Sequence, residues 1–84
     1  MSYADDVRQY CKINYIDSAR MKGIRTIKIR SGDVHSALSY KNRYPLVCSA
    51  IGSNKFEDMC GIKRIAVDGP INGVNTTFTF ELLP

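Results

Sequence analysis

The spacing of hydrophobic positions changes along the chain, and each change marks an element. In "SYADDVRQYCKINYIDSARMKG", Tyr3, Val7, Tyr10 and Cys11 recur at helical spacing. Ser2 is placed to cap the first turn, and Asp5 and Asp6 stand where carboxylates favour the helix dipole. The stripe weakens at Asn14. Asp17 is placed to start a further turn through Ala19 and Met21 before Gly23 stops it, so the pattern predicts one helix, continuous or broken, ending by Gly23. "IRTIKIRS" then alternates, with Ile27 and Ile29 on one side and Thr26, Lys28 and Arg30 on the other, as in a half-buried strand. Ser31 is expected to cap a short second helix over "GDVHSAL", in which Val34, Ala37 and Leu38 share a face.

"SYKNR" reads as a turn, and Pro45 begins a third helix, because its fixed φ and missing N–H cost nothing in a first turn. Val47, Ala50 and Ile51 form its inner stripe, with Cys48 at the edge. An unbroken continuation at about 100° per residue would swing Phe56 to the side opposite Val47, so the register resets near Gly52. "NKFEDMC" is predicted as a fresh turn, capped by Asn54, with Phe56, Met59 and Cys60 inward and Gly61 ending it. The tail reads as a hairpin. Ile65 and Val67 are expected on one face of "IKRIAV", and Phe78, Phe80 and Leu82 on one face of "TTFTFELL", joined by the turn-rich "DGPINGVN".

The first strand must pair with the hairpin or leave a hydrophobic edge bare, which predicts a single α+β domain over residues 1–84. Helix, strand, helix, turn, helix, strand, long loop, strand is similar to the order of the winged helix-turn-helix superfamily. "IRSGDVHSALSYKNRYPLVCSAI" also resembles a segment of small prokaryotic winged-helix proteins. The resemblance implies a three-helix core with a three-stranded antiparallel sheet, residues 44–52 as recognition helix and "DGPINGVN" as a β-hairpin wing. It further implies duplex DNA binding, with the third helix in the major groove and the wing on the backbone.

Composition narrows the classes. A chain of 84 residues with 44% hydrophobic residues supports one core and is not a disordered tail. Its apolar runs are too short for a bilayer, and "MSYADDVRQ" does not read as a signal peptide, so no membrane partner and a cytoplasmic location are expected. Cys11, Cys48 and Cys60 are widely spaced without a CxxC pair, which points to packed thiols and to no metal or other cofactor. The net charge of +4 arises in residues 1–30, where seven Lys and Arg face three Asp, and the block from Arg20 to Arg43 is positioned in sequence to attract phosphates.

Lys41 and Arg43 in the turn, Tyr44 at the helix entrance and Lys55 at the next helix are the candidate phosphate anchors, with Asn72 and Asn75 in the wing. Tyr44 reads equally as a staple and the asparagines as turn formers. With Val47 and Ile51 inward, Pro45, Leu46, Ser49, Gly52 and Ser53 face out. Ser49 and Ser53 suit bases or phosphates, yet no Arg or Gln stands there for bidentate base readout, so backbone-anchored binding is expected. The competing expectation is a protein contact or homodimer through the same smooth face, with Leu46 exposed. Catalysis is not expected, because His35 and Asp33 lack a nucleophile or metal partner.

Overall fold

The computed structural model describes residues 2–84. Helix α1 (Tyr3–Cys11) begins where expected, with the Ser2 hydroxyl accepting from the Asp5 amide. It runs without interruption through a π-helical segment, Lys12–Asp17, into α2 (Ser18–Met21), and Gly23 closes it at a φ of 71°. The weakening at Asn14 now has a cause. Ile16 lies five residues after Cys11, too far round a regular α-helix to share its stripe, and the wider π turn brings it back to the core side. Asp17 caps nothing and pairs with Lys12 at 3.0 Å.

Strand β1 (Thr26–Arg30) leads directly into α3 (Ser31–Ala37), followed by α4 (Tyr44–Ile51), α5 (Asn54–Cys60), β2 (Ile62–Asp68) and β3 (Thr77–Leu82). The sheet is antiparallel in the order β1-β3-β2. This α+β arrangement is compatible with a winged helix. Ile29, Phe78, Phe80 and Leu82 on the inner side of the sheet meet Val7, Cys11 and Ile16 from the first helix, Val34 from α3, Val47 and Ile51 from α4 and Phe56 from α5. All three cysteines are buried in this core, and burial pushes the Cys11 thiol up to about 12 and that of Cys60 to about 11.

Several local expectations are corrected. Ser31 does not cap α3; it is the helix's first residue, fully buried, and its hydroxyl donates to the Gly73 carbonyl in the hairpin loop. Ser53, not Asn54, caps α5 by accepting from the Phe56 amide. The register shift between Arg64 and Ala66 leaves Ile65 without a partner across the ladder, so Ile65 and Val67 do not form one buried face; they are 52% and 47% exposed. Gly61 ends α5 as expected, in the left-handed conformation that glycine adopts without strain.

Candidate functional site

The turn between α3 and α4 is built by an imidazole. His35 on α3 is 4% exposed, and its Nε2 accepts a hydrogen bond from the Arg43 backbone amide at 3.1 Å. This satisfies an amide at the start of α4 that has no partner within the helix. The Tyr44 ring stacks on the imidazole with centroids 4.0 Å apart, and Tyr40 meets its edge at 6.0 Å. Tyr3 of α1 meets Tyr40 edge-on at 5.6 Å and lies beneath the Arg43 guanidinium at 4.2 Å. Ser39 and Asn42 take positive φ values of 58° and 55°, which bends the chain back within five residues. The clasp anchors the rings inward and leaves Lys41, Asn42 and Arg43 exposed at the amino end of α4.

Beyond that end, Pro45 and Ser49 are exposed on α4. A groove of about 440 Å³ separates Ser49, Gly52 and Ser53 from Val67, Ile71 and Asn72 of the hairpin, with Cys48 and Phe78 also lining it. Its cation is Arg64, which donates to the Gly52 carbonyl at 3.0 Å. Leu46 is not the exposed apolar group expected: it is half-buried, packs on the core and lines a shallow pocket with Tyr3, Ala4 and Asp6 of α1. Exposed apolar side chains are found instead on the hairpin, where Ile71 is 86% exposed and Val74 41%, and on and after the first helix at Ile13, Met21 and Ile24.

The hairpin loop is pinned to the start of α3. Ser31 and Gly32 amides donate to the Thr76 and Val74 carbonyls, both at 2.9 Å, and the Thr76 hydroxyl ties the loop to the Pro70 carbonyl. Gly32 makes this possible: a Cβ there would lie 2.6 Å from both a Val74 methyl and the Val74 carbonyl oxygen.

The candidate anchors therefore separate into two groups. Asn75 is committed, its side-chain carbonyl accepting from Arg30 Nε at 3.1 Å and from a terminal guanidinium nitrogen at 2.8 Å. Ser53 is committed as well, receiving the Phe56 amide and donating to the Ala50 carbonyl at 2.8 Å. Lys55 reaches Asp5 at 3.4 Å, and the Arg8 guanidinium, Ser2 and Lys55 hold the Asp5 carboxyl well below the usual carboxylate range. Tyr44 is half-buried in the clasp. Lys41, Arg43, Ser49 and Asn72 are exposed, and none of them is in an ion pair among the described residues.

The basic block is dispersed by folding. Arg20 donates to the carbonyls of Cys60, Gly61 and Leu83, and Arg30 pairs with Asp33 at 2.7 Å. Arg25 and Lys28 lie on and beside β1, on a different element from the turn that carries Lys41 and Arg43. Sequence reasoning missed His35 as the clasp and Tyr3 as the support for Arg43. The signal was faint: an imidazole eight residues before the helix entrance, with tyrosines at 40 and 44 around a turn.

No group of three or more metal-ligating side chains occurs among the described residues, and no helix there is long and apolar enough to cross a membrane. No family model, curated protein or solved structure matches the chain.

Proposed function

We propose that this domain binds duplex DNA through its phosphate backbone, with the Ser39–Arg43 turn and the exposed side of α4 toward the duplex. One observation carries the reading. Lys41 and Arg43 are exposed together beside the amino end of α4 and, among the described residues, have no carboxylate partner; Lys22, Arg25, Lys28 and Lys63 are equally unpaired but lie away from that helix end. The amino end of a helix adds its own attraction for phosphate. Ser49 and Asn72 supply further polar contacts on either side of the groove. Small uncharged groups on α4 favour close approach over base-specific readout, so the contact is one of backbone anchoring.

Anisotropy of a labelled random duplex, followed against salt, tests this. Two to three neutralised phosphates give a log–log slope of about −2 to −3, and replacing Lys41 and Arg43 together by alanine reduces its magnitude by roughly two. Affinity unchanged by salt, or by the double replacement, overturns the reading. A second reading, protein contact, is favoured by the exposed Ile65, Val67, Ile71 and Val74 of the hairpin.

A further inference from the structure

β2 is an edge strand. β3 occupies one of its sides, no strand among the described residues occupies the other, and Lys63 to Asp68 are exposed in an unbroken run. We infer that a second copy of this chain pairs with this edge, antiparallel, about a two-fold axis between Ile65 and Ala66, setting Lys63 opposite the partner's Asp68 on both sides of the axis.

The register shift makes this pairing self-complementary. On a regular strand, residues five apart point to opposite faces. Here Lys63 pairs with Glu81 and Asp68 with Thr77, and those two partners are four apart on β3. Lys63 and Asp68 therefore share the outer face of the sheet, and their backbone groups are in the same phase of the ladder. An antiparallel copy then brings the two charges together twice, and Arg64 stands across from the partner's Val67 twice. Neither Lys63 nor Asp68 has an ion-pair partner within the single chain among the described residues.

The opposite edge argues the same way by contrast. β1 carries Lys28 with Arg25 just before it, its Arg30 is already paired with Asp33, and it has no acidic residue, so self-pairing there offers no complementary charges. Beside β2, the exposed Ile65, Val67 and Ile71 supply apolar surface for a partner to cover. Six residues a side form a small interface, so association is expected at high protein concentration.

Sedimentation equilibrium up to roughly 1 mM, in low salt and without DNA, tests the inference independently of the DNA reading. The wild type is expected to reach a monomer–dimer equilibrium. Lys63→Asp and Asp68→Lys each place like charges opposite one another and weaken it by roughly tenfold or more. Mixing the two variants restores association, because each reversed charge then meets its opposite. Circular dichroism checks that both fold, and the neutral pair Lys63→Gln and Asp68→Asn, each weakening the dimer less, serves if a reversal does not. A wild type that stays monomeric, a dimer indifferent to both reversals, or reversed variants that do not associate on mixing overturns the inference.

Discussion

The turn at Ser39–Arg43 and the hairpin loop at Gly69–Thr76 are both connections bent by residues at positive φ, yet they are held in opposite ways. The turn is clasped by side chains: an imidazole accepts its amide, and tyrosine rings pack around that imidazole. The loop is stitched down by its own backbone, which receives the Ser31 and Gly32 amides and the Ser31 hydroxyl. The consequence is a division of surfaces. Side-chain clasping turns the rings inward and leaves cations outside, whereas backbone stitching leaves the loop's side chains outside, and those are apolar at Ile71 and Val74. The unpaired cations therefore belong to the turn, whereas the hairpin loop offers apolar side chains with Asn72 among them.

The sharpest way to break the comparison is Gly32→Ala. The added methyl has no room against Val74, so the loop must lift from α3, at a cost of about 3 kcal/mol by urea denaturation. Amide exchange should accelerate at Ser31 and Gly32 and leave Arg43 unchanged. His35→Ala attacks the other region. It strands the Arg43 amide and removes the stacked ring, costing about 2 kcal/mol, while exchange accelerates at Arg43 and not at Gly32. His35→Phe keeps the stacking and loses the acceptor, so it should fall between wild type and His35→Ala.

A pH experiment sharpens the comparison by testing the core that both regions share. The Cys11 thiol is pushed up to about 12, whereas an unfolded cysteine ionises near 8.5. Its stabilising contribution is full below about pH 8.5 and is lost as pH rises toward the folded value, by about 1.4 kcal/mol per pH unit in between. Denaturation midpoints at pH 8 and pH 10 should therefore differ less in Cys11→Ala than in wild type. The smallest effect is expected for Ile71→Ser, which should stay within about 0.5 kcal/mol of wild type because the side chain is 86% exposed.

Much of the fold was legible in the residues. The Ser2 cap, the stop at Gly23, the alternation of β1, the reset near Gly52 and the Gly61 terminus are local events, governed by backbone conformation and by spacing within a few residues. The helical wheel places Ser49 outside and the polar turn does the same for Lys41 and Arg43, and all three are exposed. The candidate site was legible only in part, because Ser53, Lys55 and Asn75 meet groups that no local pattern reveals. The wheel of α4 places Ser53 on that helix, whereas it is the cap of the next; Asn75 receives a guanidinium 45 positions away.

By itself, the order of apolar and polar residues determined which segments form helices and strands, that one core gathers them and, except along β2 and at Ala37 and Met59, which of their sides face it. Tertiary structure alone decided how the charges are spent: which cations find a carboxylate or a carbonyl, how His35 comes to hold the turn, and how the shift at Ile65 brings Lys63 and Asp68 to one face. The reason is range. Periodicity and capping act within a turn or two of chain, whereas a buried hydrogen bond or an ion pair is made wherever folding brings its two groups within about 3 Å.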